Sequence, residues 1–247
     1  MSTYSGLCDD HFVNLHLTTE MELPSSRDSV LHFFEQLKKL FPTMRNFYSR
    51  DKGEYVLEED KDCGNYRWST IEPRRIGSGY VNPPDCDEAI SQHLKVLEAV
   101  PYLLSVSPLD CESLNLTYGF DFRFRGNHHE LLAETFGMAS ALDKFRGVTS
   151  GKLLGFEPSI QLALDDGCQT QCRLSLESRT TAYQIRTGDF PEEPISVYLT
   201  LRRYGSLDTE KSYVSMFQQL VETGESLIQS HVIENILLPL RQAIAFK

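Results

Sequence analysis

What this chain lacks narrows it first. No apolar run approaches the roughly 20 residues that a membrane-crossing helix needs, so no membrane is expected as a partner. Positive charge is scarce, with 24 Lys and Arg against 35 Asp and Glu and a net charge of −11. The deficit is spread evenly: 11 basic against 17 acidic residues in 1–107, and 13 against 18 in 108–247. Acidity is therefore a property of the whole surface, and it opposes the positive field that a nucleic-acid backbone requires. The opening MSTYSGLCDDHF has neither the basic nor the apolar stretch of a secretory signal. Its six cysteines are accordingly expected as reduced thiols in a cytoplasmic protein.

Catalytic motifs are also missing. No G-x-S-x-G nucleophile elbow occurs, and Gly77-x-Gly79 has neither a third glycine nor the strand-to-helix setting of a dinucleotide site. A strand with a bulge accounts for that pair. The acidic stretch 54–62 lacks calcium-loop spacing. Cys168 and Cys172 are spaced C-x-x-x-C with no second close pair to complete a zinc site. Alternation places both on the inner face of one strand, as small hydrophobes. No metal or cofactor is expected from these patterns.

Patterning is what the chain has. Residues 12–23 alternate, with Val13, Leu15 and Leu17 on one face, and the apolar positions after Ser29 recur at helical spacing up to Pro42. An offset of 101 residues superposes this plan on a second one: Leu15 on Leu116, Met21 on Phe122, Leu31 on Leu132. Further strands fit 44–50, 54–59, 65–71 and 75–81, with a hairpin turn at RDKGE. A helix from Asp85 follows, opened by a capping box with Glu88. In the second half strands fit 154–164, 168–177, 181–187 and 195–203, with LDDGC as a turn, and a long helical region runs from about 209.

Each half thus reads β-α-β4-α. The expected architecture is α+β: an internally duplicated antiparallel sheet with helices packed on one face. Residues 1–107 and 108–247 form the two halves of one continuous domain. The element order is that of the TATA-binding-protein-like fold class, by topology alone, and topology does not carry function.

Four groups are candidates for a site. In GNHHE, Asn127 suits a helix N-cap with Glu130 three residues on, and His128 and His129 fall in the first turn. Capping is the leading interpretation there; a metal-dependent hydrolase using His128 or His129 with Asp121 is one functional alternative. Arg123 and Arg125, outward on their strand, are expected to join Arg202 and Arg203 if the last strand of that half lies nearby, and to hold an anionic ligand. The C-terminal helix carries an apolar stripe with a joint at Gly224 and a kink or interruption at Pro239. Its residues Ile236, Leu240 and Ile244 are candidates for an interface. The isolated histidines, His93 among them, read as structural. The leading expectation is a non-catalytic binding or assembly protein, whose partner is another protein or its own copy. The alternative is a small-molecule binder.

Overall fold

The computed structural model describes residues 4–50, 53–147, 151–207 and 212–247. Its frame is one antiparallel sheet. The first half supplies β1 (Asp10–Thr19), α1 (Arg27–Leu40), β2 (Asn46–Arg50), β3 (Glu54–Glu58), β4 (Tyr66–Glu72), β5 (Arg75–Val81) and α2 (Cys86–Leu103). The second supplies β6 (Cys111–Phe124), α3 (His128–Phe136), α4 (Ser140–Gly147), β7 (Ser159–Ala163), β8 (Thr170–Glu177), α5 (Ala182–Thr187), β9 (Glu193–Tyr204) and α6 (Tyr213–Leu227). A π-helical stretch (Ile228–Leu237) and α7 (Leu238–Ala245) complete it. The strand order is β2-β3-β4-β5-β1-β6-β9-β8-β7.

Alternation decides which side each residue joins. Val13, Leu15 and Leu17 of β1, Leu116, Tyr118 and Phe120 of β6, and Val197, Leu199 and Leu201 of β9 are all buried. Helices α2 and α6 cover them, α2 against β1 and β5, α6 against β6 and β9. Each such apolar side chain contributes on the order of 1.5–3 kcal/mol when fully buried. Helix α1 adds Val30, Phe33, Phe34 and Leu37 to the same core, with the Phe34 ring 5.5 Å from Phe47 of β2.

The strands expected over 44–50, 54–59, 65–71 and 75–81 stand within two residues of their observed ends, whereas the first, expected over 12–23, runs Asp10–Thr19 and leaves Met21 exposed beyond it. The turn between β2 and β3 includes Gly53 at φ 78, while residues 51 and 52 lie outside the described residues. Asp85 caps α2 by accepting from the Asp87 amide at 3.1 Å, but the Glu88 carboxylate goes to Arg67 at 2.8 Å instead of closing a box.

The second half departs further from expectation. Residues 182–187 form helix α5, not a strand. Thr181 and Gln184 exchange capping hydrogen bonds around its start, and Gly188 at φ 74 ends it. Residues 154–158 are not part of β7; they are drawn instead towards α3. The helix expected across 128–145 breaks at Gly137, φ 72, leaving Leu142 and Phe145 of α4 exposed. Cys172 is buried, but Cys168 is exposed in a turn at φ 53, with its amide donating to the Asp165 carbonyl. The two thiols therefore share no strand face.

The C-terminal stripe largely covers its own sheet, with Met216, Phe217, Leu220, Ile228, Val232, Leu237 and Leu240 buried. Gly224 is no joint, because α6 runs through it. A Cβ there would stand 2.7 Å from the Tyr118 ring, so glycine lets the helix approach β6. Pro239 follows the π-helical stretch. A proline ring clashes with the carbonyl four residues back and donates no hydrogen bond, and the wider π turn just before it relieves the regular ladder.

Candidate functional site

Among the described residues the helices lie on one side of the sheet and leave the other uncovered, and alternation fixes what that side shows. Along the centre come Phe12, Asn14 and His16 of β1, Thr117, Gly119 and Asp121 of β6, and Ser196, Tyr198, Thr200 and Arg202 of β9. Beside them lie Tyr66, Trp68 and Thr70 of β4 over Gly77 and Gly79 of β5. Glycine in a strand interior is unfavourable and marks a place where something approaches closely. Here aromatic rings do. A Cβ on Gly79 would lie 2.2 Å from the Trp68 ring, and one on Gly119 would lie 2.1 Å from the ring of Phe12. Gly77-x-Gly79 is thus a ring seat in an unbroken strand, not a bulge. Trp68 lies flat on β5 and Phe12 flat on β6, with Tyr198 6.0 Å from Phe12 and His16 6.0 Å from Trp68, centroid to centroid.

Three shallow hollows follow this face. The largest of the three, about 490 Å³, lies over Phe12 and Trp68 and takes in Asp10, Asn14, Asn82 and Asp121. Asp10 stands directly opposite Asp121 across β1 and β6. Two like charges in that position are unfavourable, and each is held separately. Asp10 accepts from Asn82 at 2.7 Å and from Arg123 at 3.2 Å. Asp121 sits beside Ser196 and Arg179, and its carboxyl is raised above the usual range, burial outweighing both neighbours. Oδ1 of Asp121 and Oδ1 of Asn14 are buried without a protein donor.

The other two hollows flank the centre. One, about 300 Å³, is lined by His16, Trp68 and Tyr66 together with three cations. Each cation has its own carboxylate: Arg75 with Glu72 at 2.7 Å, Arg50 with Glu54 at 2.8 Å, and Lys61 with Glu58 at 3.0 Å. Burial, then Arg75, pushes the His16 imidazole down to about 4, so it is neutral at pH 7. The second, about 320 Å³, lies over β7, β8 and β9 and is lined by Gln161, Gln171, Arg173, Ser175, Tyr198 and Arg202, with Glu177 and Thr200 at its sides.

The four arginines singled out from the sequence are not brought together. Arg123 faces the uncovered side and pairs with Asp10; Arg125 donates to the Phe190 carbonyl at 3.0 Å. Arg203 lies on the opposite side of β9 from Arg202, donating to the Tyr204 carbonyl and to Gln169. Arg123 borders a separate hollow beside the last helix, with Arg241 and Ile244, and Arg202 lines one of the three hollows of this face, where its neighbour is Arg173 of β8.

His128 and His129 are both buried. Asn127 caps α3 by accepting from the His129 amide at 3.1 Å; no capping box with Glu130 forms. Nδ1 of His128 accepts from the Arg179 amide at 3.3 Å, while Nε2–H donates to the Phe124 carbonyl at 3.3 Å. Nδ1 of His129 accepts from the Phe156 amide at 3.0 Å. These rings pin the loops at 153–157 and 178–180 to the helix, which is why residues 154–158 leave the sheet. Burial lowers the His128 pKa. The lone pairs a metal would use are occupied, and Asp121 projects from the opposite face of β6 to Phe122 and Phe124, away from the histidines. Among the described residues, no group of three or more His, Cys, Asp or Glu is placed to hold a metal ion.

Of the three interface candidates, Leu240 is fully buried, while Ile236 and Ile244 are half-buried against the core. Sequence reasoning missed Phe12, Trp68, Arg173 and Tyr198. Their outward parity was readable, but their convergence depends on strand order and register.

Fold and face together define an α+β antiparallel-sheet protein with helices on one side and a polar, aromatic surface left open on the other. Among known proteins, no family model and no curated sequence matches this chain.

Proposed function

We propose that this chain is a non-catalytic binding protein, acting by contact with another protein through the uncovered face of its sheet. The observation that carries this reading is the seating of Trp68 and Phe12 on Gly79 and Gly119. An ordinary solvated sheet face needs no such glycines in its central strands. Here they hold two large rings flat, giving an amphipathic floor of little conformational freedom, as recognition surfaces use. The hollows are shallow and polar-rimmed, a shape suited to an extended segment or a protein surface.

Internal duplication belongs to the same reading. Read outward from the centre, the first half runs β1-β5-β4-β3-β2 and the second β6-β9-β8-β7. Leu15 faces Leu116, residues 101 apart, where the central strands cross. This mirrored order supports two copies of one plan, the second short of one strand, in the manner of the TATA-binding-protein-like class. A cytoplasmic setting is supported by six unpaired thiols, with Cys86 and Cys111 pushed up to about 12 by burial.

The chain's single tryptophan is Trp68, so emission reports on this face without a label. Titration with pooled random peptides is expected to shift that emission for some pools, and Phe12→Ala is expected to weaken the response. Pools that bind the protein yet leave Trp68 unmoved would sink the proposal, as would the absence of any binding.

A further inference from the structure

We infer that the hollow over β7, β8 and β9 is an oxyanion site, in which Arg173 and Arg202 together receive a carboxylate or phosphate group of the ligand. This rests on the uncovered face being the binding surface, and adds the chemistry that one part of it recognises.

The argument starts from register. Arg173 stands opposite Thr200, and Arg202 opposite Gln171, so the two arginines are diagonal neighbours on one face of β8 and β9. Such positions lie about 7–8 Å apart, within converging reach of two long side chains. Each of the three cations in the hollow on the other flank is neutralised by a carboxylate within 3.0 Å. Among the described residues, neither Arg173 nor Arg202 makes an ion pair. Yet Asp and Glu outnumber Lys and Arg by 35 to 24 across the chain, so carboxylates are not in short supply.

Both side chains are steadied by neutral partners. Arg202 donates through Nε to Asn115 Oδ1 and through Nη1 to the Tyr204 hydroxyl at 2.7 Å, which leaves Nη2. Arg173 donates through Nε to Ser159 at 3.3 Å, which leaves both Nη groups. Thr200, Gln171 and Ser175 supply further polar groups between them. Among the described residues the one carboxylate lining the hollow, Glu177, is engaged by Arg179 at 3.5 Å. Planar guanidinium forks with spare donors match the two oxygens of a carboxylate or phosphate.

The test follows the side-chain Nε–H signals of Arg173 and Arg202, assigned with Arg173→Gln and Arg202→Gln, in ¹⁵N-labelled full-length protein. The probes are inorganic phosphate, acetate, and a blocked peptide carrying one Glu beside its Gln counterpart. The expected result is that oxyanion probes move both signals saturably, and that Arg173→Gln weakens binding about tenfold, the size of one lost charge-assisted hydrogen bond. Arg173→Lys should restore it in part, and Arg27→Gln, at the exposed start of α1, should leave it unchanged. Response to the Glu peptide over its Gln twin identifies a protein-borne carboxylate; response to phosphate or acetate alone identifies a small free anion. Equal response to Glu and Gln peptides with none to either small ion overturns the oxyanion site. If those peptides still shift Trp68 emission, the uncovered face remains the binding surface; if Trp68 is silent too, both readings fall.

Discussion

Single residues here act through what lies against them more than through their own chemistry. Gly79 is the clearest case, since its missing side chain is what lets Trp68 lie flat. Gly79→Ala puts a methyl 2.2 Å from the indole, so the ring must lift. We expect a red-shifted Trp68 emission and a destabilisation of about 1–3 kcal/mol, as for other overpacked sites, while the helix side of the sheet is untouched. Unaltered emission would mean that the ring is not seated there. His128 and His129 teach the converse. They were legible as a helix start from the glycine, asparagine and glutamate around them, but nothing local revealed that each ring accepts a backbone amide from a loop some 27 to 51 residues away. The same distance effect hid Arg173, whose importance comes from a neighbour two strand positions along on another strand.

At the scale of elements, legibility followed the strength of the periodic signal. Strands β2 to β5, bounded by turn residues, were readable to within two residues, whereas β1 ends four residues before its expected limit. Segment 181–187 misled because Thr, Tyr and Ile favour strands, whereas a reciprocal Thr181–Gln184 cap and a C-terminal Gly188 carry more weight in so short a piece. The C-terminal stripe was readable as apolar and as mainly covering the sheet, but which of its residues face inward was not, and Leu240, an interface candidate, is fully buried. Its burial separates two substitutions that look alike in sequence. Leu240→Ala, at a fully buried site, is expected to lose about 2–5 kcal/mol of stability in chemical denaturation. Ile244→Glu, at a half-buried site on the final turns, is expected to lose less. It should also leave the oligomeric state seen by sedimentation unchanged, because the proposed binding surface lies across the sheet. Dissociation of an oligomer by Ile244→Glu would restore the C-terminal helix as an interface.

For the whole molecule, the buried histidines set a pH window. His93 is fully enclosed, with Nε2–H donating to the Val13 carbonyl at 3.1 Å and Nδ1 accepting from Ser78 at 3.0 Å, and burial pushes it down to about 3. Below pH 6.5 the unfolded chain binds a proton there that the folded chain refuses, so stability falls as pH drops. For one such site the slope approaches about 1.4 kcal/mol per pH unit between the unfolded and folded values. His16, at about 4, adds to it over a narrower range, and His11 and His128 shift the same way. Asp121, raised above its usual range, opposes them only where carboxylates titrate. Denaturation midpoints measured from pH 7.5 down to 5 should therefore decline, and His93→Gln should flatten the curve. A curve flat for the parent protein would contradict the buried, neutral imidazole.

The central pairing of β1 with β6 also has a consequence in time. β1 closes one sheet with β5 from within residues 10–81, but its other edge waits for β6, which begins at Cys111. A chain still emerging from synthesis therefore carries an unsatisfied edge in the middle of its future sheet, the arrangement most prone to pair with the wrong strand. A chain stopped at residue 107 should satisfy that edge with a second copy of itself, antiparallel about Leu15. It would then run as a dimer at concentrations where the full-length protein is monomeric, and Leu15→Lys, which breaks the apolar seam, should abolish the pairing.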